Sequence, residues 1–290
     1  MGTMNVLVAT DGSKYGRWAL DWVAMLPFVE PVKVMALHVL DFRTLRALRG
    51  PFLSQVEGER YIQEEIQRME ARSAKALKKA KQQLASLNLT GTARKEQGAV
   101  APTILKRAPK RDGLLVVGSQ GLDALDRFML GSVSTELIQY ATCPVLVVKK
   151  EAAPLRRITL AIDGSDASAQ ALAFVLAKVQ PDHSTGKGGR VPIQVAVIHV
   201  MPFLKYPELK EAGRRLVEQS AQKLIQAGFA AEAVCQLGKP AEEIMKVASK
   251  HRADLIVMGA KGMGAIARFF LGSVSTRVVQ HSSCSVLVVR

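Results

Sequence analysis

The 290-residue sequence is poor in aromatic residues and in cysteine, and it has no long apolar runs. Aromatic residues make up 5% of the chain and do not interleave its basic stretches, so no stacking platform for nucleic-acid bases is predicted. Three cysteines, Cys143, Cys235 and Cys284, lack metal-binding or redox spacing, which is typical of a reduced cytosolic protein. No apolar run reaches the roughly 18 residues that a membrane span requires. The N-terminus also lacks the layout of a signal peptide. We therefore predict a cytoplasmic protein with no membrane segment.

Basic residues outnumber acidic ones, which gives a formal net charge of +15. Such a charge raises the alternative of a nucleic-acid-binding protein. Much of the excess lies in Arg72–Lys81, where Lys75, Lys78, Lys79 and Lys81 alternate with alanines and a leucine. That spacing favours a solvated helix face, so nucleic acid is the disfavoured partner.

The second half of the chain repeats the first. Residues 127–135 read RFMLGSVST and residues 268–276 read RFFLGSVST, with eight of nine positions identical. Around these segments, VLVATDGS at 6–13 corresponds to ITLAIDGS at 158–165, and CPVLVV at 143–148 to CSVLVV at 284–289. The period is longer than that of any solenoid repeat, so the sequence predicts a duplicated domain. We place the domains at 1–150 and 151–290, joined by the charged, proline-containing segment 149–157.

Short apolar segments alternate with helical patterns within each half. The predicted strands of the first half are Met4–Thr10, Val32–Leu40, Thr90–Glu96, Leu114–Gly118 and Val145–Val148. Their Val, Leu and Ile content is typical of a parallel sheet covered on both faces. We therefore predict an α/β fold of two doubly wound domains, each a five-stranded parallel sheet with helices on both faces.

The two copies differ by insertions. The second copy gains nine residues before its second strand, which we assign to a polar, glycine-rich loop at Asp182–Arg190. The first copy carries about twenty extra residues after Asp41. Pro109 of the first copy falls in a helical segment and is expected to end it.

Each copy carries three glycines at one spacing. They are Gly118, Gly121 and Gly131 in the first copy, and Gly259, Gly262 and Gly272 in the second. Such a spacing is weak evidence alone, but two occurrences in register, each after an apolar strand, are strong. A missing side chain at Gly118 and Gly259 would let a ligand approach the backbone.

The segment after the third glycine reads as a helix start. We expect Ser132 or Ser134 to cap it, with Ser273 or Ser275 in the second copy. Free amides at such a start favour phosphate oxygens. Asp11 and Asp163 follow the first strand of each copy, so they meet the glycines where strand order reverses, which is where open α/β sheets bind ligands.

Two histidines and two cysteines have a simpler interpretation. His38 and His199 lie at equivalent strand ends, and no nucleophile is paired with them by motif, so we interpret them as hydrogen-bonded core residues. Cys143 and Cys284 are expected to pack as small residues before the last strand.

These motifs resemble the universal stress protein family across essentially the whole chain, twice. LLVVGSQG and LIVMGAKG, each followed by LGSVS and preceded by a DGS strand, match the family's ATP-binding branch. The resemblance implies a Rossmann-like fold similar to that of adenine nucleotide alpha hydrolases. It also implies that ATP is the cofactor, with Mg²⁺ carried by its phosphates and no metal site on the protein.

The resemblance also implies the binding residues. Adenine and ribose contacts fall near Asp11, Val39, Val117 and Gly118, with phosphates on Gly121, Gly131, Ser132, Val133 and Ser134. The second-copy equivalents are Asp163, Val200, Met258, Gly259, Gly262, Gly272, Ser273, Val274 and Ser275. Lys261 of the second copy stands where the first has Gln120, and a cation there helps to hold phosphates. We therefore expect tighter nucleotide binding in the second copy.

Three functions follow from these observations. The leading one is a non-enzymatic, ATP-binding regulator of the stress response, acting on an unidentified regulatory protein. One alternative is a slow ATPase or adenylate-processing enzyme of the same fold, in which Asp11 or Asp163 with a divalent ion activates water. The other is the basic nucleic-acid-binding protein.

By family resemblance the last strands dimerise, so Val145–Val148 and Val286–Val289 are expected to pair within one chain as a pseudo-dimer. A further homodimer stays open.

Overall fold

Strands and helices alternate along both halves of the chain. The computed structural model describes residues 2–43, 55–110, 112–121, 130–184, 189–201, 207–262 and 271–290. The first half contains β1 (Met4–Ala9), α1 (Lys14–Met25), β2 (Val32–Leu40), α2 (Gln55–Ser86), β3 (Gly91–Gln97), α3 (Val100–Arg107), β4 (Leu114–Gly118), α4 (Ser132–Tyr140) and β5 (Val145–Val148). The second contains β6 (Arg157–Ala161), α5 (Asp166–Lys178), β7 (Asp182–Ser184), β8 (Arg190–Pro192), β9 (Gln194–Met201), α6 (Pro207–Gln226), β10 (Ala230–Leu237), α7 (Pro240–Lys250), β11 (Leu255–Gly259), α8 (Ser273–His281) and β12 (Ser285–Val289).

Ten strands form one sheet in the order β10-β9-β6-β11-β12-β5-β4-β1-β2-β3. The five strands of each half run parallel, and their order reverses between β1 and β4 and between β6 and β11. The predicted α/β class, with a doubly wound five-stranded sheet in each half, is therefore confirmed. Reversal of strand order leaves a crevice at the carboxyl ends of the strands.

The two halves join where β5 and β12 pair antiparallel, with Leu146 opposite Leu287. The predicted pairing of the last strands within one chain is confirmed. It removes two apolar edge strands that would otherwise be exposed to other chains. The indole Nε1 of Trp22 also donates to the carbonyl of Lys150 at 2.9 Å, which ties α1 to the segment between the halves.

Apolar side chains fill both faces of the sheet, and each layer continues across the junction. One layer packs α1, α2 and their counterparts against the sheet and includes Trp22, Leu160 and Leu287. The other lies under α3, α4 and their counterparts and includes Leu115, Val145 and Ile256. Both layers come from the Val-, Ile- and Leu-rich strands, which are buried on both sides as parallel strands between helices are.

The insertion in the second copy is not the loop that was predicted. Asp182–Ser184 and Arg190–Pro192 pair as an antiparallel two-stranded sheet. The guanidinium of Arg190 binds the Asp182 carboxylate at 2.6 Å and the side chain of Gln180 at 3.2 Å, so charge pairing across the strands holds the chain extended. Residues 185–188 of the predicted loop lie outside the described residues.

Two pairs of equivalent helices differ in length between the copies, as the sequence predicts. Helix α3 ends at Arg107, two residues before Pro109, and has 8 residues where α7 has 11, so the expected helix end is confirmed. Helix α2 has 32 residues and α6 has 20, which accounts for part of the extra length of the first copy. The rest, residues 44–54, lies outside the described residues.

The lysines of α2 and two of the cysteines have the exposure that the sequence predicts. The four α2 lysines that carry much of the charge, Lys75, Lys78, Lys79 and Lys81, are exposed, which confirms a solvated face. Cys143 and Cys284 are buried as predicted, and burial raises the pKa of the Cys143 thiol to about 11. Among the described helices, none combines the length and apolar character needed to cross a bilayer.

Candidate functional site

A cavity of about 430 Å³ opens at the carboxyl ends of the strands in the first domain. Ligand pockets in proteins have volumes of roughly 300–1,000 Å³. All nine residues predicted for this domain line it, namely Asp11, Val39, Val117, Gly118, Gly121, Gly131, Ser132, Val133 and Ser134. The strands bring residues more than 120 positions apart into one crevice, as the rule for open α/β sheets requires.

The turn after β1 begins at Asp11, whose carboxylate Oδ1 accepts the amide of Ser13 at 2.9 Å. Gly12 has a φ of +82°, a conformation that a side chain disfavours. The hydroxyl of Ser13 then accepts the amide of Gly16 at 3.1 Å and caps α1. The DGS motif is thus a helix start, and the same turn places Asp11 in the crevice.

The first glycine of the motif, Gly118, is required by packing. A Cβ at Gly118 would come within 2.6 Å of the Cβ of Tyr15, and a Cβ at Gly259 within 2.6 Å of the backbone of Ala167. The missing side chains let α1 and α5 approach β4 and β11. Packing alone therefore accounts for these two glycines, and the approach of a ligand to them stays a prediction, since Gly118 also lines the cavity.

The second glycine makes room for the aspartate. A Cβ at Gly121 would lie 2.9 Å from Oδ2 of Asp11, and a Cβ at Gly262 would lie 2.6 Å from Oδ2 of Asp163. A side chain at either position would displace the carboxylate. The acid that follows the first strand and the glycine loop of the fourth strand therefore meet in both domains.

The third glycine is required neither by its backbone nor by its neighbours. Gly131 has a φ of −64° and Gly272 one of −66°, which any residue adopts. Among the described residues, the atom nearest to a Cβ at Gly131 would be the Ser119 carbonyl oxygen at 3.5 Å, an ordinary contact. At Gly272 the nearest atom is the carbonyl oxygen of Ala260, at 3.4 Å. The space in front of Gly131 belongs to the cavity.

Gly131 and Gly272 are themselves the N-caps of α4 and α8, and among the described residues no side chain caps either helix. The prediction that Ser132 or Ser134 caps α4 is wrong, and so is its counterpart, Ser273 or Ser275, for α8. Ser132 and Ser273 already lie inside the helices. The hydroxyl of Ser134 donates instead to the carbonyl of Gly118 at 2.7 Å, and that of Ser275 to Gly259 at 2.9 Å. Within the described residues, the first amides of both helices therefore have no capping side chain, and they lie at the positive end of the helix dipole.

The strand-end histidines are hydrogen-bonded to the main chain. Nδ1 of His38 donates to the carbonyl of Thr10 at 2.8 Å, and Nδ1 of His199 donates to the carbonyl of Ile162 at 2.9 Å. His38 is 9% exposed. Each histidine ties the second strand to the turn after the first. The interpretation as a hydrogen-bonded core residue is confirmed for His38, whereas His199 is hydrogen-bonded but only half-buried.

The second domain repeats this geometry. Asp163 accepts the amide and hydroxyl of Ser165 at 3.0 and 2.6 Å. Val200 and Met258 are buried on β9 and β11, at the positions of Val39 and Val117. The remaining predicted residues occupy the corresponding loop and helix start, namely Gly259, Lys261, Gly262, Gly272, Ser273, Val274 and Ser275. Lys261 is half-buried where the first domain has the buried Gln120.

Several cavity residues were not predicted. Val100 and Ile104 of α3, with Leu37 of β2, add apolar surface beside Val39 and Val117. Thr10 adds a polar group next to Asp11. The i, i+4 spacing of Val100 and Ile104 is the signal that marks this face of α3, but no motif connects it to the glycine loop.

Fold and crevice together define a class: two doubly wound, Rossmann-like domains in tandem, each with a glycine motif at its switch point. The chain belongs to the universal stress protein family, whose family model matches residues 2–149 and again residues 154–290.

Relatives and solved structures agree with this assignment. A universal stress protein of Mycolicibacterium smegmatis is 30% identical over 98% of this chain and 96% of its own length. A universal stress protein of Thermus aquaticus is 38% identical over 47% of this chain and 98% of its own length, as a single-domain relative would be. In fold, the chain is similar to the crystal structure of a universal stress protein from Archaeoglobus fulgidus, with a TM-score of 0.69 at 21% identity over 99% of this chain and 96% of that one.

Proposed function

We propose that each domain binds ATP in its crevice and that the protein is a nucleotide-dependent, non-enzymatic regulator of the stress response. The observation that carries the proposal is Gly131, with Gly272 at the same place in the second domain. Neither the backbone conformation nor packing against the described part of the chain requires glycine there. A ligand that must approach the start of the helix does require it.

The apolar part of the cavity suits the nucleobase. Leu37, Val39, Val100, Ile104 and Val117 form an apolar wall. Nucleotide bases are flat and weakly polar on their faces, and they bind between apolar side chains. Asp11 lines the same cavity, and its carboxylate would accept hydrogen bonds from the ribose hydroxyls.

The helix start suits the triphosphate. The unpaired amides of Ser132, Val133 and Ser134 at the N-terminus of α4 would donate to phosphate oxygens, and Gly121 and Gly131 would let them approach. In the second domain Ser273, Val274 and Ser275 would do the same, with Lys261 adding a cation. Mg²⁺ would be bound by the phosphates.

The bonding of the aspartates favours regulation over catalysis. Oδ1 of Asp163 accepts two hydrogen bonds from Ser165, and Oδ2 lies against Gly262. Such a carboxylate holds the turn and is poorly placed to take a proton from water. In the proposed function bound ATP changes which surface of the protein a regulatory partner recognises.

Isothermal titration calorimetry with ATP and Mg²⁺ tests binding. We expect two sites per chain, with one lost in Gly131→Val and the other in Gly272→Val. Phosphate release by the wild type should not exceed that of the Gly131→Val/Gly272→Val double variant. Turnover above that control would favour the enzyme, and an absence of heat with folded protein would overturn the proposed function.

A further inference from the structure

At the junction, each domain contributes one basic side chain that binds the C-terminal end of a helix in the other domain. Lys149 follows β5 of the first domain, and its Nζ donates to the carbonyls of Gln280 and Ser282, at 3.1 and 2.8 Å, where α8 of the second domain ends. Arg290 follows β12 of the second domain, and its guanidinium donates to the carbonyls of Ile138 and Gln139, in the last turn of α4. Each cation satisfies carbonyls that a helix C-terminus leaves unpaired.

Each of these helices begins in a candidate site. Helix α4 begins at Ser132, directly after Gly131, and α8 begins at Ser273, directly after Gly272. Each has 9 residues. A helix of that length is about 13 Å long, and its backbone hydrogen bonds connect one end to the other. One end of each helix therefore lies in the crevice of its own domain, while the other end is held by the opposite domain.

The capping residues also adjoin the glycine loops of their own domains. The carbonyl of Val148, one residue before Lys149, accepts the amide of Ser119 at 2.7 Å. The carbonyl of Val289, one residue before Arg290, accepts the amide of Ala260 at 2.8 Å. Ser119 and Ala260 follow the first glycine of each motif. A continuous chain of contacts thus runs from the end of α8 through Lys149 to the first site, and from the end of α4 through Arg290 to the second.

The two helices also lie on either side of one groove. They share a groove of about 280 Å³ that is lined by the same positions of both copies: Leu130, Thr135, Ile138 and Gln139 with Leu271, Thr276, Val279 and Gln280. Leu130 and Leu271 each precede the third glycine of a motif. The groove therefore places the same face of both helices at the junction, while the caps supply the contacts that connect them.

We propose that occupancy of the two sites is positively coupled, with Lys149 and Arg290 as the positioning residues that connect them. The inference rests on the proposed function, since it concerns the same two sites. A ligand that orders the start of α8 also orders its capped end, and with it the glycine loop of the first site. The second ligand then meets a site that is already ordered, so it binds more tightly.

Calorimetric titration of Mg²⁺ and a non-hydrolysable ATP analogue measures this coupling. Gly131→Val and Gly272→Val proteins give the affinity of each site alone, and the wild type gives the affinity of the second step. We expect the second step to be at least about fivefold tighter than the same site alone. In Lys149→Met/Arg290→Met the factor should fall below about twofold, whereas Lys149→Arg should retain it. Lys78→Met, at an exposed lysine of α2, should change nothing.

The outcomes separate the two proposals. Folded wild-type protein that binds no analogue overturns the proposed function and the coupling together. Binding at two independent sites, or coupling that survives Lys149→Met/Arg290→Met, overturns the coupling alone. Hydrogen exchange in Gly272→Val protein gives a readout that does not depend on the cap variants. Saturating the first site should slow exchange in α8, and unchanged exchange in α8 also overturns the coupling.

Discussion

The carboxylate of Asp163 occupies the space in front of Gly262, so that a Cβ at residue 262 would lie 2.6 Å from Oδ2. The other carboxylate oxygen accepts two hydrogen bonds from Ser165, which hold the side chain in place. The first domain has the same relationship between Asp11 and Gly121, at 2.9 Å. The turn after the first strand and the glycine loop are thus fitted to each other in both domains.

Gly262→Ala should therefore destabilise the second domain through this single contact. We expect the free energy of unfolding to fall by about 1–2 kcal/mol, because the new methyl group must displace a held carboxylate. Urea unfolding measures the loss. In an Asp163→Ala background the same substitution should cost less than about 0.5 kcal/mol. An equal cost in both backgrounds would show that the carboxylate is not what Gly262 accommodates.

Substitution of the first glycine of the motif should affect stability, whereas substitution of the third should affect nucleotide binding. Gly118→Ala places a methyl group against Tyr15 and should lower the free energy of unfolding by about 1–3 kcal/mol. Gly131→Val meets no close neighbour and should change it by less than about 1 kcal/mol, while nucleotide affinity at that site falls at least about tenfold. Unfolding curves and calorimetry on both variants check this. A large stability loss in Gly131→Val with unchanged affinity would remove the argument for a ligand.

Lys261 should make the second site the tighter one. Lys261→Gln, which copies the first domain, should weaken ATP binding at the second site severalfold, and the difference should shrink as salt is added because the charge is screened. Lys223→Gln, at an exposed lysine of α6, is the matched control. Titration of both variants in the Gly131→Val background isolates the second site. Equal affinity of Lys261→Gln and the unsubstituted protein would contradict a role for the cation.

Lys149 should make stability depend on alkaline pH. Burial lowers the pKa of its ammonium from 10.5 to about 8. Below pH 8 the Lys149 ammonium is charged in the folded and in the unfolded protein, and its desolvation lowers the free energy of unfolding. Above pH 10.5 it is neutral in both, and that cost is gone. The free energy of unfolding of the wild type, relative to Lys149→Met, should therefore rise by about 2–3 kcal/mol between pH 7.5 and 10.5.

Urea unfolding of both proteins across this pH range measures the difference. The subtraction removes the titration of the other lysines, because they are common to both proteins. A difference that stays constant, or that falls as the pH rises, would show that the Lys149 amine is not desolvated at the junction.

The repeated strands were predictable because buried parallel strands leave near-continuous apolar runs in the sequence. The predicted bounds of the strand Leu114–Gly118 agree with the structure, and the pairing of β5 with β12, though not its antiparallel direction, followed from the family resemblance. The hairpin at Asp182–Ser184 and Arg190–Pro192 was missed because its strands have three residues each and are held by one exposed ion pair, which leaves no periodic pattern.

The roles of the glycines could not be separated from the sequence. Gly118 and Gly131 look alike in a motif, yet a Cβ would clash with Tyr15 at the first position and would make only ordinary contacts with the described residues at the second. The hydroxyl of Ser134 was predicted to cap its own helix, but it donates to the carbonyl of Gly118, 16 residues earlier. Such assignments depend on which elements the fold brings together. For the same reason the caps by Lys149 and Arg290 have no sequence signature, since each joins residues more than 130 positions apart.

The nucleotide content of the protein as purified, without added ligand, tests the central claim most directly. Mass spectrometry of the released small molecules, with quantitation per chain, should show an adenine nucleotide in the wild type. Its amount should fall in Gly131→Val and in Gly272→Val, and be lost in the double variant. A folded wild-type protein that carries no adenine nucleotide, and that takes up none at millimolar ATP with Mg²⁺, would contradict the account.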